Sequence, residues 1–171
     1  MGKVAWGVLG TARIGCQKVI PAMQRGKYSR VVAIASRDMP RAEKAAGELR
    51  IDKAYGSYEA LLADPEVQAV YIPLPNHLHV EWSIRALEAG KHVLCEKPVA
   101  RDASEAQRLA EAAAQHPDQK VMEAFMYRFH PQWLETKKLV VEGQIGRLRT
   151  IQSFFSYYNT DPANVRNQPD L

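Results

Sequence analysis

The chain has 171 residues, enough for one domain with a sizeable core and too few for two ordinary ones. It is 46% hydrophobic and 25% charged, and no apolar run approaches the roughly 18 residues of a membrane span, which argues against a membrane-embedded protein. The net charge of +4 comes from basic residues that alternate with acids, as in "RAEKAAGELR", a pattern of solvated helix faces that argues against a nucleic-acid partner and leaves a modest positive excess suited to an anionic cofactor.

The opening "MGKVAWGVLG" runs straight into a strand pattern and lacks the layout of a signal peptide. Gly2 makes no myristoylation motif, because Trp6 stands where Ser or Thr is needed. Cys16 and Cys95 lie in apolar stretches and read as buried thiols of a reducing cytoplasm. Short β-branched runs then alternate with amphipathic stretches, which predicts an α/β fold whose mainly parallel sheet is covered on both faces. Strands are expected at 3–9, 30–36, near Ala54, 67–72, 92–96 and 120–124, with helices at 13–25, 40–50, 58–63, 77–89 and 103–115. Ser57 is expected to cap one helix, Asp102 and Glu105 to form a capping box on another, and Gly90 to stop a third.

Between the first strand and the first helix stands "VLGTARIG". Gly10 permits a tight turn, Ala12 lets the backbone approach a pyrophosphate, and Gly15 lets the helix pack closely on the strand, while the free amides of the helix start hold phosphate. The pattern is G-x-A-x-x-G, in which a methyl replaces the usual second glycine. Gly10, Thr11, Ala12, Arg13, Ile14 and Gly15 are therefore candidates for cofactor contact. The second strand ends in "ASRD", and Ser36, Arg37 and Arg41 offer a hydroxyl and two guanidinium groups to the 2′-phosphate of NADP. The alternative is that Arg37 and Arg41 are surface arginines and that Asp38, also a candidate helix cap, serves the ribose of NAD.

The fourth strand runs into "YIPLPNHLH", where Pro73 and Pro75 stiffen a loop at the carboxyl edge of the sheet. Leu74, Pro75 and Asn76 would lie beside the nicotinamide, and Asn76 can also cap the next helix. His79, on that helix's first turn, is either a surface or capping histidine or part of the site. The fifth strand runs into "EKP" at the same edge. Lys97 there can move the proton that accompanies hydride transfer if desolvation and a nearby cationic ring lower its pKa. Glu96 can orient Lys97 by hydrogen bonding, and Pro98 fixes the chain, a cis bond being one way to do so.

A further helix is expected at 131–142, followed by an aromatic strand at 147–158, "RLRTIQSFFSYY", whose apolar groups are too many for an isolated edge. Its partners are not in the sequence. The expectation is two segments, a nucleotide-binding domain at 1–125 and the truncated start of a second α/β domain at 126–171.

The segments "GVLGTARIG", "ASRD", "IPLPNHLH", "GKHVLCEKP" and "EAFMYRFHP", in this order along essentially the whole chain, resemble the Gfo/Idh/MocA oxidoreductases. Within them the chain is similar to the branch of D-xylose and dihydrodiol dehydrogenases, which mostly use NADP. The resemblance implies a Rossmann-type doubly wound parallel sheet followed by a domain with a large open sheet, through which members form homo-oligomers. It implies an enzyme acting on a small sugar or polyol, with Lys97 moving the proton, Arg37 and Arg41 facing the 2′-phosphate and Glu96 by the nicotinamide ribose. Tyr127, Arg128 and His130 match a segment along the active-site side, where packing and salt-bridge roles compete with substrate contact. The family's other catalytic groups follow a glycine-rich stretch past "NQPDL", so the resemblance implies that these 171 residues alone bind cofactor without turnover.

Overall fold

The computed structural model describes residues 2–162 and 164 of the chain. They fall into two units, Met1–Ala124 and Phe125–Leu171. In the first unit the strands are β1 (Val4–Leu9), β2 (Ser29–Ala35), β3 (Lys53–Tyr55), β4 (Ala69–Ile72), β5 (His92–Cys95) and β6 (Val121–Glu123). All neighbouring pairs are parallel, in the order β3-β2-β1-β4-β5-β6. The strand order reverses between β1 and β4, which opens a crevice at the carboxyl ends of those two strands. This is the doubly wound Rossmann arrangement.

Alternation along the strands divides the core between two faces. Leu9, Val70, Ile72, Val93 and Cys95 pack with Tyr58, Leu61, Trp82, Leu87 and Leu109 of helices α3 (Tyr58–Leu62), α4 (His79–Glu88) and α5 (Ala103–Gln115). Val8, Ile34 and Tyr71 pack on the other face with Ile20 of α1 (Ile20–Arg25) and Ala45 and Ala46 of α2 (Met39–Leu49). Helix α1 continues a π-helical turn, Gly15–Val19, closed by the Ile20 N–H on the Gly15 carbonyl. Pro21 explains the wider turn: it has no N–H for an ordinary helical bond, and the ladder widens just before it.

Ser57 caps α3 and Asp38 caps α2 as their sequences suggest, and Gly90 ends α4 with φ of 73°. Two expected caps differ. Asp102 accepts from the Glu105 N–H at 2.9 Å, but Glu105 returns its carboxylate to the Arg101 N–H, one residue before the box would have it. Asn76 makes no side-chain cap, because it is already inside a 3₁₀ turn, Asn76–Leu78, through which the chain enters α4.

The second unit holds a 3₁₀ turn, Met126–Phe129, and helix α6 (Pro131–Val141). The strand expected at 147–158 is absent: no residue there is in regular structure. Phe154, Phe155 and Tyr158 are 91, 85 and 91% exposed, and among the described residues no strand pairs with this backbone. The "NQPDL" end lies outside the described residues. No described helix is long and apolar enough to cross a membrane.

Candidate active site

The turn after β1 is set by Gly10. Its φ is +105°, which L side chains rarely adopt, and a Cβ there would stand 3.0 Å from Leu74 Cδ2. The Gly10 N–H donates to the Ala35 carbonyl at 2.8 Å, which binds the turn to the end of β2. Thr11 and Ala12 then lead into the helical residues at 13–14, and the Cys16 N–H bonds the Ala12 carbonyl. The first amides of such a helix have no partner within it, and the dipole favours an anion there. The Arg13 Nε donates to Gln17 at 3.0 Å, which lays its guanidinium along the helix, and Ile14 is exposed. Gly15 is buried, but a methyl on it would meet Tyr71 and Pro73 at 3.4 Å, an ordinary contact. Gly15 thus packs against Tyr71 and Pro73, while the tightest approach in the turn is at Gly10.

After β2 the backbone is tied down and the cations are left free. The Ser36 N–H donates to the Tyr55 carbonyl, and the Ser36 hydroxyl accepts from the Asp38 N–H at 3.2 Å. One Asp38 oxygen accepts from the Arg41 N–H at the start of α2. Among the described residues neither Arg37 nor Arg41 is in an ion pair, and both are exposed. Arg37 also borders a cleft of about 330 Å³ whose other walls include Tyr58, Leu78 and Trp82. Arg85 lies over the Trp82 ring at 4.6 Å and pairs with Glu59 and Glu81.

The loops after β4 and β5 are joined by His79. The residue is 1% exposed, and its Nδ1 and Nε2 lie 2.7 Å from the carbonyls of Pro98 and Leu74. The surface or capping reading is therefore corrected: this ring ties "PLPN" to "EKP" from inside the fold. Three further bonds fix the second loop. The Glu96 N–H donates to the Ile72 carbonyl at 3.1 Å, the Val99 N–H to Glu123 Oε1 at 2.9 Å, and the Tyr71 hydroxyl to Glu96 Oε1 at 2.6 Å. The Lys97–Pro98 peptide is cis.

Lys97 alone in this loop is free. It is exposed, and no described carboxylate pairs with it. No hydrogen bond joins Lys97 to Glu96 among the described residues, and Glu96 Oε1 accepts instead from the Tyr71 hydroxyl. Successive residues of an extended chain project to opposite sides, and Tyr71 is paired with Leu94, two residues before Glu96 and on the same face. No group of three or more His, Cys, Asp or Glu among the described residues could hold a metal ion.

Comparison with known proteins agrees with this fold. Residues 4–125 match the oxidoreductase family with an NAD-binding Rossmann fold, Gfo/Idh/MocA. The chain belongs to that family. An uncharacterized oxidoreductase of Rhizobium meliloti is 51% identical over the whole chain and 51% of its own length. A D-xylose 1-dehydrogenase (NADP(+)) of Haloferax volcanii is 47% identical over 97% of the chain and 50% of its own length. Among solved structures, a KijD10 variant, a 3-ketoreductase from Actinomadura kijaniata in complex with TDP-benzene and NADP, superposes with a TM-score of 0.78 at 40% identity, over 86% of this chain and 45% of its own. The chain spans about half the length of the relatives it matches.

Against this Gfo/Idh/MocA frame, Tyr71, Glu123 and the Trp82 wall of the cleft are what sequence reasoning missed. Glu123 carried a signal, a lone acid in the apolar run "VMEAF". Tyr71 carried a fainter one, a phenol among aliphatic strand residues whose hydroxyl needs a partner. In the second unit Tyr127 packs edge-on against Phe125 and Trp133, and His130 accepts from the Gln132 N–H to cap α6, which favours packing roles for both. Arg128 is exposed on the 3₁₀ turn and in no ion pair among the described residues.

Proposed function

We propose that this unit binds NADP across the β1/β4 crevice and serves an oxidoreductase that moves hydride between the nicotinamide and a carbinol or carbonyl carbon of a sugar-like substrate. The observation that carries the reading is a free cation at each end of one sheet edge, Arg37 and Arg41 past β2 and Lys97 past β5, with a positive-φ glycine turn between them. The residues fit the cofactor: Gly10 holds open a cradle that a Cβ would fill, and the first helical amides supply anion donors. Ser36, Arg37 and Arg41 would hold the 2′-phosphate, and Asp38, already engaged by its cap, is the weaker claimant for an NAD ribose.

When bound, NADP supplies the hydride acceptor or donor. The chain's part is to orient and to move a proton. Lys97 takes the substrate hydroxyl proton as hydride leaves, or returns it in the reductive direction. The clamps on Glu96, Pro98 and Val99 fix the backbone that carries it. Desolvation of the amine would then come from bound cofactor and substrate. Kinship with the Haloferax xylose dehydrogenase supports an aldose substrate, and kinship with KijD10 supports a second reading, reduction of a nucleotide-linked keto-sugar. A cytoplasmic, homo-oligomeric enzyme belongs to the same proposal, as does a division near residue 125.

Titration calorimetry of the chain with NADP and with NAD tests the cofactor reading. Uptake of NADP with at least tenfold preference over NAD is expected; uptake of neither overturns it. A dinucleotide-binding module without catalysis is the remaining alternative, and turnover in a protein carrying this unit, lost on Lys97→Met, would exclude it.

A further inference from the structure

Tyr71 is wholly buried in the middle of the site's floor. Its ring lies on the face that packs against the first helix, where Gly15 passes it closely enough that an added methyl would touch Cε1 at 3.4 Å. Its hydroxyl does not end on a backbone carbonyl, as a core phenol's could, but on Glu96 Oε1 at 2.6 Å. Burial first, and then the Glu96 carboxylate, raise its pKa, so the phenol stays a donor throughout the neutral range. The other Glu96 oxygen accepts no protein hydrogen bond among the described residues and is left for a ligand.

The strand order says which ligand group that would be. With the cationic end past β2 taking the phosphorylated adenosine half, a dinucleotide crossing the β1/β4 switch carries its nicotinamide half over β4 and β5. A carboxylate there meets ribose hydroxyls, which are donors. We propose that Tyr71 is a positioning residue that holds Glu96 for the nicotinamide ribose, while its ring backs the turn under the pyrophosphate, so that one side chain aligns both contacts. The inference rests on the NADP reading above.

The test uses the 171-residue chain as Tyr71→Phe, Glu96→Ala and the double variant, titrated calorimetrically with NADP and with 2′,5′-ADP, which keeps the 2′-phosphate and lacks the nicotinamide riboside. Tyr71→Phe should weaken NADP about 3- to 10-fold, the span of one hydrogen bond to a charged group made imperfect. Binding of 2′,5′-ADP should change less than about twofold. The double variant should bind NADP no more weakly than Glu96→Ala, because the hydroxyl acts only through that carboxylate. Unchanged NADP affinity in Tyr71→Phe, equal loss of both ligands, or additive losses would each overturn the proposal. If the unaltered chain binds neither ligand, the cofactor reading fails and this one with it; if it binds both and Tyr71→Phe is indifferent, this one fails alone. Should Tyr71→Phe not fold, the Tyr71 ¹³Cζ resonance of the unaltered chain must move with NADP and stay with 2′,5′-ADP, and the opposite result rejects the idea.

Discussion

The two edges of the parallel sheet treat charge in opposite ways. At the amino edge three cations at strand starts are matched by partners in the fold. Arg30 pairs with Asp52 and Glu66, Lys53 with Asp64 and Glu66, and the buried Lys91 donates to the carbonyls of Asp64 and Val67. At the carboxyl edge the backbone is bonded down while Arg37, Arg41 and Lys97 are left in solvent. A matched charge has spent its electrostatics on the fold, whereas an unmatched one beside a helix start and a rigid loop is available to a ligand. Substitutions at the carboxyl edge should therefore change binding or chemistry with little change in stability, and those at the amino edge the reverse.

Lys97→Met has the largest expected effect. In a two-domain protein carrying this unit, turnover should fall by about 10²- to 10⁴-fold, the range of a positioned proton-transfer group. NADP affinity and the melting temperature should hold. A variant that still turned over at the parent rate would remove the proton-transfer role. Arg37→Asp comes next. Losing a charge-assisted phosphate contact and adding a like charge should weaken NADP by about 10- to 100-fold at low salt, with NAD affinity unchanged or improved. Equal NADP affinity in parent and variant would show that the 2′-phosphate is held elsewhere.

Moving to the other edge, Lys91→Met should leave NADP affinity unaltered and lower the stability by about 2 kcal/mol, because two carbonyls lose their donor in a buried site. Denaturant midpoints measure this, and an unchanged midpoint would mean that water replaces the amine without penalty.

Much of the carboxyl edge was legible in the sequence because it depends on single residues at element ends. Gly10 marks a turn, "EKP" follows a strand, and arginines follow "VVAIAS". What was not legible depends on register. That Tyr71 reaches Glu96 follows from pairing Tyr71 with Leu94, and that His79 bridges two carbonyls follows from where two loops meet; neither relation has a local spacing to read. Asn76 misled because a good cap residue followed Pro75 directly and entered the helical turn itself. The stretch at 147–158 misled in the other direction. Its pattern is that of a strand, but a strand is a relation between two segments, and the described residues hold only one.

The smallest effect expected, and the one that separates the edges by pH, concerns Asp64. Its side chain is nearly buried and accepts from the Lys53 amine at 2.8 Å, the Tyr55 hydroxyl at 2.9 Å and the Glu66 N–H at 2.9 Å. The Lys53 hydrogen bond foremost lowers its pKa below the ordinary carboxylate value. A carboxyl group that is more acidic folded than unfolded contributes stability above its unfolded pKa and loses that contribution as the pH drops through the lowered folded value. The melting temperature should therefore decline on acidification below about pH 4, and Asp64→Asn, which cannot titrate, should flatten that decline while lowering the neutral-pH melting temperature by a few degrees. Its NADP affinity at pH 7 should equal the parent's, since nothing at this edge faces the crevice. An acid profile as steep in Asp64→Asn as in the parent would move the acid-labile group to another carboxylate, and a changed NADP affinity would mean that the two edges are not independent.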